Sequence, residues 1–280
     1  MNSNLKQMNT MKKISLLSFT LGLLVLTSCN NSNKKDDDKK TETEAVGVTD
    51  TIITITPLAE ESPAFAEATL THAGGDVLEV PAGSVDFDFN VENYELGVQT
   101  ENAGENGLAN SAKGQHIHFI LDNGPYSAHY ESAFSKDIEE GDHVMISFLS
   151  RSYHESVKNP TSFVVKKIRA GNPSEDQQMD VDFSAEHLFY SRPKGTYSGE
   201  DTKKVLLDFF LVNTEISQEG NKVKVSVNGG EEFLITEWVP HVIENMPLGE
   251  NKIQITLVDE NLEPIPGPFN TETRSIILEE

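Results

Sequence analysis

The chain repeats itself, and this limits its fold more than any other feature. The stretch Phe87-Asp88-Phe89-Asn90-Val91-Glu92-Asn93-Tyr94-Glu95-Leu96 aligns with Leu207-Asp208-Phe209-Phe210-Leu211-Val212-Asn213-Thr214-Glu215-Ile216, with Asp, Phe, Asn and Glu recurring at one spacing. GQHIHFILDNG from Gly114 aligns with GNKVKVSVNGG from Gly220. Gly141 and its strand residues Val144, Ile146 and Phe148 then align, with small gaps, with Gly249 and Ile253, Ile255 and Leu257. Each copy ends in a β-rich strand, Ser162–Ile168 and Ser275–Leu278. Period-two alternation, turn residues between the runs and no clear 3.6-residue period predict an all-β unit. Seven or so strands in about 100 residues predict an immunoglobulin-like sandwich, twice over. The cysteine–tryptophan–cysteine pattern of antibody domains is absent.

The boundaries follow from composition. Residues 30–45, NNSNKKDDDKKTETEA, hold no apolar residue before Ala45 and cannot bury enough surface to offset chain entropy. They predict a disordered acidic tether over 29–60. Within it Thr51–Thr56 alternates like a strand, which suits either an added edge strand or more tether. The first sandwich is expected over 61–171 and the second over 178–280. The polar segment Ala170–Asp176 links them.

The one cysteine sets the address. Cys29 follows Leu26-Thr27-Ser28 at the end of the apolar run 14–27, which Lys12 and Lys13 precede. A spanning helix wants about 20 apolar residues, and this run is shorter. The arrangement resembles a bacterial lipoprotein signal over 1–28 with an LTSC lipobox. The resemblance implies cleavage before Cys29 and lipidation of its sulfur, hence anchoring to a membrane rather than spanning it. Met11 is an alternative start. Lys35-Asp36-Asp37-Asp38 is similar to the acidic export signal of surface lipoproteins in Bacteroidota. It implies an outer-membrane protein facing the cell exterior, the periplasmic face being the alternative. Removing Lys6, Lys12 and Lys13 with the signal takes the formal net charge from −23 to −26. So acidic a body repels nucleic acid, which excludes that class of partner. An envelope or extracellular ligand is expected instead.

The repeat also assigns strand faces. Val223, Val225 and Val227 alternate with Lys222, Lys224 and Ser226. The valines face the core, because lysine is almost never fully buried. By alignment Ile117, Phe119 and Leu121 are core, and His116 and His118 lie on the solvent face. Asn123-Gly124 signals a two-residue hairpin turn. That register sets Leu121 opposite Tyr126, Phe119 opposite Ala128 and Ile117 opposite Tyr130 on the apolar face. His118 then meets His129, and His116 meets Glu131, on the other. Three imidazoles and a carboxylate in one patch, with His154 from the loop Arg151–Glu155 as a further ligand, make a candidate Zn²⁺ or Cu²⁺ site. The bland alternative is a set of structural histidines buried against the insertion at 97–113. His72, His187 and His241 lie apart.

No serine-hydrolase, zinc-protease, P-loop, dinucleotide or C-x-x-C motif occurs. Asp86/Asp88 and Asp180/Asp182 read as solvated strand faces, and Trp238 as a core anchor. No catalytic residue is assigned, and the expectation is a non-catalytic binding lipoprotein, with metal binding as the alternative. The stretches GQHIHFILDNGPYSAHYE, FLSRSYHESVKN and VNGGEEFLITEWVPHVIENMPLGENKIQITL together resemble a family of Bacteroidota lipoproteins with tandem β-sandwich repeats. Some members carry the label "phosphopeptide-binding protein". The resemblance implies a phosphopeptide ligand by that label only. Phosphate recognition uses clustered arginines, and the four here, Arg151, Arg169, Arg192 and Arg274, are far apart in sequence.

Overall fold

The computed structural model describes residues 52–280. The signal, Cys29 and the tether up to residue 51 lie outside the described residues. Within the described residues the regular structure is strands and two short 3-10 turns, with no α-helix.

The first copy forms two sheets. One is three-stranded, in the order β2 (Thr69–His72), β4 (Gly83–Glu92), β7 (Ala133–Ile138). The other is five-stranded, in the order β3 (Val77–Val80), β9 (Phe163–Ala170), β8 (Gly141–Ser150), β5 (His116–Leu121), β6 (Ser127–His129). The second copy repeats this order. Its first sheet runs β10 (His187–Arg192), β12 (Lys204–Val212), β15 (His241–Glu244). Its second runs β11 (Gly195–Ser198), β17 (Thr271–Glu279), β16 (Gly249–Val258), β13 (Lys222–Val227), β14 (Glu232–Ile235). Even the exceptions repeat: β3–β9 and β11–β17 pair in parallel, and all other pairs are antiparallel. The fold is all-β, two tandem immunoglobulin-like sandwiches.

One strand has no counterpart. β1 (Thr54–Pro57) adds to the free edge of β15, with Ile55 opposite Ile243 and Pro57 opposite His241. Of the two readings of Thr51–Thr56, the edge strand is the one seen, at Thr54–Pro57, inside the span 29–60 expected to be tether. The alternation Ile53, Ile55 places two isoleucines against the second core, which explains why so polar a neighbourhood yields a strand.

Each sandwich has its own core. Phe87, Phe89, Ile117, Phe119, Met145 and Leu149 fill the first. Leu207, Phe209, Val223, Val225, Ile253 and Leu257 are among those that fill the second. Ile117 and Phe119 are core, as the repeat predicts, and Leu121 packs at its margin. In β8, however, the core residues are Met145 and Leu149 rather than Val144, Ile146 and Phe148. Strand pairing shows why: Ile117 faces Leu149 as Val223 faces Leu257. Gly141–Leu149 therefore matches Gly249–Leu257 without a gap, and the gapped alignment slips by one residue. Because side chains alternate, one residue exchanges the two faces. Asp180 and Asp182 are also reassigned, since they precede a turn at 183–185 and lie in no strand.

The residues so displaced form a third apolar cluster. Ile120, Val144, Ile146 and Phe148 meet Phe189, Phe210 and Val212 of the second copy. Phe148 stacks on Phe210 at 4.8 Å. The five-stranded sheet of copy 1 and the β10–β12–β15 sheet of copy 2 are thus packed face to face, and their central strands β8 and β12 are buried on both faces. Polar contacts pin the junction. Asn123, at the hairpin tip, accepts from the Tyr190 N–H at 2.7 Å and donates to the carbonyls of Leu188 and Phe269. It occupies the free edge of β10 as a strand would. Trp238 donates to the Phe209 carbonyl at 3.0 Å and lies edge-on to Phe210, half-buried.

Candidate functional site: a histidine cluster in the junction

β5 places His116, His118 and Ile120 on one face because successive side chains alternate. That is the face opposite the core, as the lysines of copy 2 predict. It is not a solvent face. Both histidines are 0% exposed, because this is the face that docks on the second sandwich. Their neighbours Ile146 and Phe148 are apolar, whereas Gln254 and Thr256 hold the equivalent places in copy 2.

The hairpin register differs from the expected one. Its turn centres on Asp122 and Asn123, both at positive φ, and closes through Gly124 N–H to the Leu121 carbonyl at 2.9 Å. Ile117 faces His129, His118 faces Ala128 and Phe119 faces Ser127. This one-residue slip moves His129 to the other side of the sheet, where it stacks on Phe134 at 3.4 Å and contacts Ser127 Oγ at 2.8 Å. Glu131 is exposed. Neither belongs to the cluster. The signal that would have found the turn is in the repeat itself: Asn228 and Gly229, both at positive φ, align with Asp122 and Asn123.

His154 does join His116 and His118. Their ligand nitrogens all lie within 4.8 Å of one another. His116 Nε2 is 2.9 Å from His118 Nε2 and 3.1 Å from His154 Nδ1. A tetrahedral ion with bonds of about 2.0–2.1 Å sets its donors roughly 3.3 Å apart, so small shifts would seat one. Second contacts fix the rings. A carbonyl only accepts, so His116 Nδ1 donates to Gly114 at 2.8 Å and Nε2 is left bare. His118 Nδ1 is 3.2 Å from Ser191 Oγ of the second copy, a hydroxyl that serves either tautomer.

His154 sits at φ 71°, the left-handed region, where a Cβ crowds the backbone at a cost of order 1–3 kcal/mol for a residue other than glycine. The loop that imposes it is tied down. Arg151 N–H donates to the Glu155 carbonyl, and its guanidinium donates to Glu155 Oε1 at 3.0 Å and to Ser156 and Pro63 carbonyls.

Burial keeps the cluster neutral. It pushes His116 down to about 4, and holds His118 and His154 well below the usual imidazole range. Arg192 and Lys194 add to the effect on all three. A neutral imidazole can offer a ring-nitrogen lone pair to a cation and does not bind anions.

Four neighbours of the cluster were not legible in the sequence. Tyr126 stacks on His118 with ring centres 3.5 Å apart, and its hydroxyl is 3.1 Å from His154 Nδ1. Ser191, Arg192 and Lys194 arrive from copy 2. Arg192 and Lys194 lie over the Tyr126 ring at 5.3 and 3.9 Å. Ser191, Arg192 and Lys194 follow His154 by 37 to 40 positions and His118 by 73 to 76, and carry no motif.

Fold and site together define a tandem β-sandwich protein with a buried histidine triad between its domains. No protein-family model matches the chain, and no curated protein matches it. Among solved structures, the fibronectin(III)-like modules of Clostridium thermocellum CbhA align over 81% of this chain and 94% of that one, at 11% identity and a TM-score of 0.26. Bacteroides ovatus SGBP-B of the mixed-linkage glucan utilization locus, in complex with a mixed-linkage heptasaccharide, aligns over 80% of this chain and 47% of that one, at 11% identity and a TM-score of 0.22. A two-domain fibronectin type III segment of chicken tenascin aligns over 74% and 96%, at 8% identity and a TM-score of 0.19. At these scores nothing about ligand or reaction is carried across.

Proposed function

We propose that this protein is a lipid-anchored, non-catalytic envelope protein that binds Zn²⁺ or Cu²⁺ through His116, His118 and His154. The observation that carries the reading is the convergence of three neutral imidazoles on one point, one of them from a loop held in a costly backbone conformation. Imidazole nitrogen suits both ions. Burial supports binding over catalysis, since a metal that works on substrate needs an accessible open position. The anchor at Cys29 and outward display through Lys35–Asp38 complete the proposal and rest on the sequence.

Metal analysis of the whole mature chain, with thermal melts with and without Zn²⁺ and Cu²⁺, tests it. An ion at 100 times its Kd adds about 2.7 kcal/mol to stability. His118→Ala is expected to abolish the shift and Lys224→Ala, at the equivalent place in copy 2, to leave it. No metal-dependent shift in the wild type at neutral pH would overturn the reading. Labelled palmitate entering the wild type and Cys29→Ser equally would overturn the anchor.

A further inference from the structure

We infer that Tyr126 supplies the fourth ligand, through its phenol oxygen, so that the ion sits in a closed three-histidine, one-phenolate site. The inference rests on the metal reading above and specifies its donor set and charge.

Three observations support it. The first is position. Tyr126 Oη is 3.1 Å from His154 Nδ1, and His154 Nδ1 is 3.1 Å from His116 Nε2, which is 2.9 Å from His118 Nε2. The four donors form a chain of contacts, each close to the roughly 3.3 Å edge of a tetrahedron around a Zn²⁺-sized ion. The second is orientation. The Tyr126 ring lies nearly parallel to His118, 12° apart, and is 3% exposed. Its oxygen therefore cannot swing out to water without unstacking the ring.

The third is charge. Arg192 is 8% exposed, and Lys194 donates to the Tyr126 backbone carbonyl at 2.6 Å. Among the described residues neither is paired with a carboxylate. The chain has 45 acidic residues, and the cluster contains none of them. Arg192 is buried and Lys194 half-buried, and a buried cation without a counter-ion is costly. A dication on three neutral imidazoles would add two positive charges beside them. A phenolate ligand halves that addition, and Arg192 and Lys194 lie on the ring that carries the negative charge. On binding, the Tyr126 O–H bond is exchanged for an oxygen–metal bond, and the proton leaves to solvent.

Cu²⁺ is the probe, because phenolate bound to it gives a charge-transfer band in the visible that imidazole does not. The whole mature chain is titrated with Cu²⁺ and followed by absorbance and by equilibrium binding. The wild type is expected to take one equivalent and to develop the band. Tyr126→Phe keeps the ring that stacks on His118, and its fold is checked by circular dichroism. It is expected to lose the band and to bind Cu²⁺ more weakly by about tenfold or more. Tyr197→Phe removes the other phenol beside Arg192, which donates to it at 2.9 Å, and is expected to retain the band. A Tyr126→Phe protein that keeps band and affinity overturns the fourth ligand while leaving the triad standing. Loss of the band in Tyr197→Phe alone also overturns it. A wild type that takes no Cu²⁺ and no Zn²⁺ overturns the triad and the fourth ligand together.

Discussion

The two copies share strand order and turn positions, yet they expose opposite sheets. In copy 1 the β2–β4–β7 sheet faces water, and its β4 carries Asp86, Asp88, Asn90 and Glu92 on the outer side. The equivalent β12 of copy 2 carries Leu206, Asp208, Phe210 and Val212, all buried. The other sheet reverses the pattern. β8 of copy 1 shows Val144, Ile146 and Phe148 on its outer side, whereas β16 of copy 2 shows Lys252, Gln254 and Thr256. One fold was thus given two complementary greasy faces, one on each copy, and they close on each other. The histidines lie on one of those faces, which is why a strand built like Lys-x-Lys in copy 2 becomes a buried cluster in copy 1.

Substitution at paired positions breaks or sharpens this comparison. The largest effect belongs to the junction. Phe210→Ala is expected to cost about 3–5 kcal/mol in denaturant unfolding, because it opens a cavity among Phe148, Phe163 and Trp238. Its counterpart Asn90→Ala, on the wet face of copy 1, should stay within about 0.5 kcal/mol. Equal costs would mean that the docked face contributes nothing to stability. The same contacts make copy 1 alone an unsuitable object for metal assays, since cutting it free uncovers that face.

Acid should act on copy 1 and not on the matching lysines. The unfolded His116 titrates near 6.5 and the folded one near 4, because burial disfavours its charge. Above pH 6.5 both states are neutral and nothing is gained or lost. As pH falls from 6.5 to 4 the unfolded state takes up a proton that the folded state refuses, so stability declines, by up to about 3 kcal/mol. His118 and His154, also lowered by burial, add to the slope. Urea denaturation of metal-free protein at pH 7 and pH 4.5 measures it. His116→Gln with His118→Gln should make the curve shallower, the remainder resting with His154 and with His129, which burial pushes down to about 4 as well, and an unchanged slope would place the acid sensitivity elsewhere.

The hairpin tips offer a smaller contrast. Asn123→Ala removes side-chain bonds to Leu188, Phe269 and Tyr190 and is expected to cost about 1–3 kcal/mol. The aligned Gly229→Asn in copy 2 lies at an exposed tip at φ 66°, a conformation asparagine tolerates. Its effect should be no more than about 0.5 kcal/mol. A thermal melt of each variant separates them.

Much of this protein is readable from its residues. Alternation of Val223, Val225 and Val227 with lysines fixed which side of the hairpin faces a core, because the lysine ammonium is costly to bury. The repeat carried that assignment to Ile117 and Phe119, and it pointed to His116 and His118 as a pair on one face. Even the docking face was partly legible. Val144 to Leu149 is an almost unbroken apolar run, as a strand buried on both faces requires, whereas Lys252 to Leu257 alternates. What the residues could not decide was partnership. A one-residue choice of turn sent His129 to the far side of the sheet and brought Tyr126 to the near one. Ser191, Arg192 and Lys194 meet the cluster only because two sheets close face to face. The buried, neutral state of the histidines therefore belongs to the junction and not to the strand that carries them.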